Sequence, residues 1–150
     1  MSYFKLINGI HDLLNDDSRV KTITEGEVND LDAYRQNIPT IAHIIVNSGR
    51  DSDTLNIYDV VVSVLDIVAE NNNITEEKFK GNDNRQEVFN KTDNIIRRFI
   101  MRFRKQAEAD NIYIVDNPTF DKVLDDETQN RLAGWDLNFS VGVPNTEIDA

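Results

Sequence analysis

The chain has 150 residues, a formal net charge of −11 and no cysteine. A chain of this length fits one domain that buries about two thirds of its extended surface, so neither a disulfide nor a metal ion is needed for folding. Without cysteine, disulfides, thiolate nucleophiles and cysteine-based zinc sites are excluded. The acidic charge argues against tight binding of nucleic acid, because such binding requires Lys and Arg to replace the counterions of the phosphates.

The N-terminal residues lack the apolar core of a signal peptide. The longest apolar run, Val60–Val68, is interrupted by Ser63 and Asp66 and is too short to span a bilayer. We therefore expect a soluble protein made in a reducing cytoplasm, with which the absence of cysteine agrees.

The first third of the chain predicts a helix and two strands. Tyr3–Leu14 places apolar side chains at spacings of three and four, as an amphipathic helix does. The β-branched segment Arg19–Thr24 predicts a short strand, and the polar segment Glu25–Asn37 predicts a loop. Thr40–Val46 predicts a second strand, and Asn47–Asp53 predicts a connector rich in turn residues.

The run Thr54–Val68 predicts a long strand that forms a hairpin with the strand before it. Its apolar residues occupy both parities, which indicates a strand that is central in the sheet or covered on its second side by a partner. A helix is the competing prediction, and the number of β-branched residues favours a strand.

The second half begins with a polar segment, Glu70–Arg85, which predicts an exposed loop. Gln86–Ala109 has the clearest helical pattern, with apolar residues along one face. Asn111–Ile114 predicts a short strand.

The last clear element is a strand over Trp135–Val143, where five apolar residues alternate with polar or small ones. Residues 119–130 before it are mostly polar, and a flexible tail is predicted from about residue 145. We therefore predict one α+β domain over residues 1–150. Its mixed or antiparallel sheet has four to five strands, with two main helices packed mainly on one face.

The sequence predicts no catalytic residue, cofactor or metal site. His11 and His43 lack the spacing of metal ligands, and a hydrogen-bonded or exposed histidine is the expected role of each. Acid pairs such as Asp51 and Asp53 could bind calcium, but their loop lacks the EF-hand spacing and its closing Glu, which favours a solvated acidic turn. The isolated glycines form no phosphate-binding loop.

A cluster of cations in residues 97–105 runs against the acidic average of the chain. One interpretation is a solvated face near the C-terminal end of a helix, where the helix dipole favours cations. The other is a basic stripe that meets an acidic surface, and a neighbouring copy of this chain, with its 27 acidic residues, is at least as plausible a partner as DNA. The candidate subunit-interface residues are Tyr58, Val60, Val62, Arg97, Arg98, Arg102, Arg104 and Lys105.

Several segments, in this order, resemble those of one protein family. They are Ser18–Thr24 after the N-terminal helix, Asn37–Ser48, Asn56–Val62, and Leu132–Phe139 with a Val-Pro-Asn close. In this order they resemble the tail terminator (tail completion) proteins of bacteriophages with long tails. The Ala-Gly-Trp sequence that leads into the alternating strand is the most telling part.

The resemblance implies a structural virion protein with no catalytic residue and no cofactor. Such proteins form a ring, usually a hexamer, at the head-proximal end of the tail tube. The ring ends tube polymerisation and joins the tail to the head connector, and DNA passes through its centre. The expected partners are therefore other copies of the chain, the tail tube protein and the head–tail connector proteins, in a virion assembled in the host cytoplasm.

Two other functions remain open on the sequence. One, in the same broad class, is another ring or connector component of the virion, such as a head–tail adaptor. A small metal-binding regulatory protein would use the acidic turn at Asp51 and Asp53.

Overall fold

The computed structural model describes residues 2–26, 40–68, 84–109, 112–125 and 132–144. The helices are α1 (Ser2–Asn15) and α2 (Arg85–Ala109), and the strands are β1 (Thr22–Glu25), β2 (Ile41–Asp51), β3 (Leu55–Ile67), β4 (Tyr113–Ile114), β5 (Thr119–Asp125) and β6 (Leu132–Pro144). No helix within these ranges is both long enough and apolar enough to cross a membrane.

The six strands form one mixed sheet with the order β1-β2-β3-β6-β4, and β5 also pairs with β6. β1 runs parallel to β2, and the other pairs are antiparallel. The predicted α+β fold is confirmed, with six strands where four to five were predicted. β3 and β6 pair along their full lengths, from Leu55 opposite Pro144 to Ile67 opposite Leu132, and form the centre of the sheet.

The strongest sequence patterns correspond to observed elements with nearly the predicted bounds. α1 and α2 follow the two helical patterns, and β3 and β6 follow the two longest strand patterns. Most of the predicted loops Glu25–Asn37 and Glu70–Arg85, and the predicted flexible tail from about residue 145, lie outside the described residues.

The first strand begins at Thr22, three residues later than predicted. The Asp17 carboxylate accepts hydrogen bonds from the backbone N–H of Arg19 at 3.0 Å and from its guanidinium at 2.8 and 3.0 Å. These bonds form a turn at the start of the predicted strand, so pairing with β2 starts only after it.

One prediction for a polar segment was wrong, and a strand in another polar segment was not predicted. β2 continues to Asp51 through the predicted connector, because its end pairs with the start of β3 beyond a bulge between Val46 and Ser48. β5 lies in the polar segment for which no clear element was predicted, and it pairs with the free edge of β6. In both cases a neighbouring apolar strand supplies the hydrogen bonds that a local sequence pattern does not reveal.

The main core lies between the two helices and one side of the sheet. Alternate residues of a strand point to opposite sides, so Val60, Val62 and Val64 of β3 face the helices together with Leu137 and Phe139 of β6. The helix residues that pack on them are Leu6, Ile10, Leu13 and Leu14 of α1 and Ile95, Ile96, Phe99, Ile100, Phe103 and Ala107 of α2. We call this the helix side of the sheet and the opposite surface the far side.

Candidate functional site

Two of the five cations predicted for the subunit interface are paired within the chain. The Arg97 guanidinium bonds Asp93, one turn earlier on α2, at 3.0 and 3.1 Å, and lies 4.9 Å from the centre of the Phe120 ring. Arg102 donates to the Asp16 carboxylate at the end of α1 at 3.2 Å. These two side chains help to hold α2 against the rest of the fold.

The other three cations lie exposed on α2, and the structure gives them no ion-pair partner among the described residues. They are Arg98, Arg104 and Lys105, and they share the outer face of the helix with Met101, which is 53% exposed. We call these four residues the basic patch. Beside them, Arg104 and Lys105 line an open depression of about 340 Å³ that extends to β4.

The structure contradicts the prediction that Val60 and Val62 contact a neighbouring subunit. Both are at most 1% exposed, because they pack under α1 and α2 in the main core. Tyr58 is half-buried on the same side, with its ring centre 6.1 Å from that of Tyr3. The apolar residues on the helix side of β3 thus face the chain's own helices.

A row of polar side chains crosses the far side of the sheet, one from each of five strands. In register order they are Thr24, His43, Ser63, Asp136 and Asp121. The Thr24 hydroxyl lies 2.6 Å from His43 Nδ1, and the Ser63 hydroxyl donates to Asp136 Oδ1 at 2.5 Å. His43 and Ser63 are buried. We call these five residues the polar row.

The polar row contains serine, histidine and aspartate, but their bonds do not follow the order of a nucleophile–base relay. In such a relay the histidine lies between the serine and the carboxylate. Here Asp136 accepts from Ser63 directly, and Nδ1 of His43 faces Thr24. Burial raises the pKa of Asp136, helped by the charge of Asp121 and opposed by the Ser63 hydrogen bond and the charge of His43. His11, by contrast, is exposed on α1 with Nδ1 3.5 Å from the Asp12 carboxylate.

Next to the polar row, Asp59 is the centre of a second polar cluster on the far side. Its carboxylate accepts hydrogen bonds from Ser140 at 2.5 Å, Ser48 at 2.8 Å and Arg50 at 3.0 Å. The Ser140 bond, followed by that from Ser48 and by the charge of Arg50, lowers the pKa of Asp59. This carboxylate is therefore charged at neutral pH.

Asp59 also lines an open depression of about 250 Å³. The other polar residues that line it are Asn47, Asp116, Asn117, Thr119, Asn138 and Ser140. Beside it, Asn138 donates to the exposed Asp121 at 2.9 Å. We call the surface formed by Asp59, Asp116, Asp121 and Asp136 the acidic face.

Sequence reasoning missed both the polar row and the acidic face. A signal was present for two of them, because His43 and Ser63 each interrupt an otherwise apolar run, whereas Asp136 occupies a regular polar position of its alternating strand. Only the register places these interruptions side by side, and the register depends on pairing between strands far apart in sequence.

The acid pair considered for calcium lies at the tip of the β2–β3 hairpin. Asp51 ends β2, Asp53 lies in the turn, and both are exposed. Within the ranges that the structure describes, no three His, Asp or Glu side chains are grouped so that they could hold a metal ion.

The Ala-Gly-Trp segment joins the sheet to α2. Gly134 lies against the backbone of β3, where an added Cβ would be 1.9 Å from the Val64 carbonyl oxygen. Trp135 donates from Nε1 to the Phe89 carbonyl of α2 at 3.0 Å and packs edge-on against the Phe89 ring. No protein-family model matches the chain, and the search of curated proteins finds no match.

Proposed function

We propose that this chain is the tail terminator of a long-tailed bacteriophage. Copies of the chain form a ring at the head-proximal end of the tail tube. In the family that the chain resembles, this ring is usually a hexamer. The ring ends polymerisation of the tube protein and joins the tail to the head connector. It has no catalytic residue and no cofactor, and its location is the neck of the virion.

The basic patch is the observation that supports this proposal most directly. Arg98, Arg104 and Lys105 are exposed cations with no ion-pair partner in the described part of a chain of net charge −11. Arginine and methionine are enriched at protein–protein interfaces, and both occur in the patch. A surface of this composition fits contact with another acidic protein, such as a second copy of the chain.

Nucleic acid is a weaker partner for the same patch. Binding to a phosphate backbone gains free energy from counterion release, which grows with the number of cations that contact phosphates. Three exposed cations on a strongly acidic chain provide little of this gain. The same acidity suits a ring through which DNA slides without adhering.

The dimensions of such a ring are compatible with this role. A domain of this length is about 30 Å across, and six of them in a circle leave a central hole of about 30 Å. Duplex DNA passes through an opening of that width.

The position of the family-like segments also supports the proposal. Asn56–Val62 lies in β3 and Leu132–Phe139 in β6, which are the two central strands of the sheet. The resemblance thus involves the residues that determine the shape of the domain as well as surface residues.

The experiment that tests the proposal has two parts. Light scattering and negative-stain microscopy of the purified protein are expected to show rings, and the rings are expected to attach to one end of tail tubes. Deletion of the gene is expected to give tails of uncontrolled length. A protein that stays monomeric at high concentration and never binds tails would overturn the proposal. Filled heads without tails beside normal free tails would instead indicate a head–tail adaptor.

A further inference from the structure

Surfaces of opposite charge lie on opposite sides of this domain. The basic patch lies on the outer face of α2, whose buried residues face the helix side of the sheet. The acidic face lies on the far side, because residues of β3 and β6 that alternate with the core residues point away from the helices. The two surfaces therefore point away from each other.

The acidic face has an excess of negative charge. Among the described side chains of that side, Asp59, Asp116, Asp121 and Asp136 are carboxylates, and Arg50 is a cation already bonded to Asp59 at 3.0 Å. Asp116 and Asp121 are exposed and have no ion-pair partner in the ranges that the structure covers. They are the carboxylates on this side that are open to an outside cation.

We infer that the acidic face of one copy binds the basic patch of the next copy, with Arg104 and Lys105 against Asp116 and Asp121. This inference rests on the proposed ring and adds which two surfaces meet in it. The depression of about 250 Å³ beside Asp116 offers room for a long side chain, and polar groups line it. The carboxylates and amides there are suitable acceptors for the N–H groups of arginine and lysine.

The position of the two surfaces favours this arrangement over a symmetric dimer. A contact between two different surfaces of the same chain is head-to-tail, and its repetition closes a ring when the rotation allows. A two-fold contact through the basic patch would instead oppose Arg104 and Lys105 with like charges, which disfavours association.

The test uses two full-length variants with reversed charge. Arg104→Glu/Lys105→Glu reverses the basic patch, and Asp116→Lys/Asp121→Lys reverses the acidic face. Each variant alone is expected to self-associate about tenfold more weakly or worse, because it sets like charges against each other at every contact. Mass photometry at about 50 mM NaCl measures the distribution of assemblies. At this salt concentration the Debye length is about 14 Å, so attraction between exposed charges is only partly screened.

Mixing the two variants in equal amounts provides the decisive measurement. In an alternating ring, every contact joins either two native surfaces or two reversed surfaces, so complementarity is restored throughout. The mixture is expected to form rings that contain both variants, whereas neither variant forms them alone. A chain with both reversals is likewise expected to assemble by itself.

The matched control is Lys21→Glu/Arg85→Glu, which changes the net charge by the same amount as the basic-patch variant. Arg85 begins α2, about 30 Å along the helix from Arg104. This control is expected to assemble like the unmodified chain. Circular dichroism and thermal melting check that every variant is folded.

The outcomes separate this inference from the proposed function. Rings that persist in both reversed variants, or a mixture that stays dissociated when each variant alone is dissociated, overturn the pairing and leave the proposed ring intact. A wild-type protein that never forms rings overturns both. Duplex DNA binding that is lost on reversing the basic patch while rings persist assigns the patch to nucleic acid and overturns the inference.

Discussion

Gly134 lies where β6 approaches β3 more closely than any side chain permits. A Cβ at this position would be 1.9 Å from the Val64 carbonyl oxygen, and this neighbour is backbone, which cannot move aside as a flexible side chain can. Gly9 on α1 differs, since a Cβ there meets nothing within 4 Å. A side chain is therefore excluded at Gly134 and tolerated at Gly9.

Gly134→Ala is expected to lower the free energy of unfolding by about 3 kcal/mol or more, because β3 and β6 must separate to admit the methyl group. Gly9→Ala, the matched control, is expected to raise it by up to about 1 kcal/mol through helix propensity. Urea denaturation measures both. Equal stability of the two variants would contradict the close approach of the strands.

The Asp136 carboxyl group illustrates how burial in the sheet affects a single titration. Burial is the largest cause of its raised pKa, and protonation is therefore more favourable in the folded state than in the unfolded chain. The folded protein binds a proton that the unfolded chain has released, so this group lowers stability as pH rises from about 4 through its folded pKa. Asp17 has the opposite sign, because its hydrogen bonds with Arg19 lower its pKa.

Asp136→Asn keeps an acceptor for Ser63 and removes the charge. Relative to the unmodified protein, its melting temperature is expected to rise progressively as pH increases from about 4 towards 7. Asp17→Asn is the control of opposite sign, since it loses a stabilising charge that is present above about pH 4. A difference between Asp136→Asn and the unmodified protein that does not vary with pH would contradict the raised pKa.

At the scale of elements, α2 divides its surface between the core and the basic patch. Its buried side chains include Ile95, Ile96, Phe99 and Phe103, and they recur at three- and four-residue intervals. Met101 lies on the opposite face and is 53% exposed. The hydrophobic face therefore determines how the helix packs, and the outer face is exposed in the part of the chain that the structure describes.

Ile96→Ala is expected to cost about 2–5 kcal/mol of unfolding free energy, because Ile96 is fully buried and its removal leaves a cavity. Met101→Ala is expected to change that free energy by less than about 0.5 kcal/mol. Denaturation followed by the fluorescence of Trp135, the single tryptophan, compares them. A large loss of stability for Met101→Ala would show that its face of α2 is covered within the chain.

Elements with a complete periodic pattern could be predicted from sequence, and those without one could not. α2 and β6 repeat their patterns over many residues, so a few exceptions do not obscure them. The polar end of β2 and all of β5 lack such a pattern, and they are strands because β3 and β6 offer them unpaired hydrogen-bonding groups. The prediction for Val60 and Val62 was wrong for a related reason. Apolar residues along one side of a strand show that this side is covered, but not whether a helix of the same chain or a neighbouring subunit covers it.

At the scale of the whole molecule, charge is unevenly distributed over the two layers. The net charge of −11 is a sum over the whole chain, which has a basic patch on one side and an acidic face on the other. Association through such surfaces depends on Coulomb attraction, which salt screens over about 10 Å at 0.1 M and 3 Å at 1 M.

We therefore expect the proposed rings to dissociate as NaCl is raised from 0.05 to 1 M (about a twentyfold fall in screening length squared). Sedimentation velocity at a fixed protein concentration measures this change. Salt that leaves the rings unchanged or strengthens them would indicate contacts through apolar surface instead, since exclusion of salt favours apolar burial. Arg104→Glu/Lys105→Glu serves as the reference. Its self-association is expected to be weak already at low salt, so added NaCl should not weaken it further.

The sequence by itself determined the α+β class, the two helices and the long central strands, because periodicity and β-branched residues act locally. It also showed that cations cluster within residues 97–105. Only the tertiary structure decided which of these cations pair within the described residues, because Arg97 and Arg102 find partners on α2 and α1. It likewise brought His43, Ser63 and Asp136 into one row and placed the acidic face opposite the basic patch, since strand register and layer packing join residues far apart in the chain.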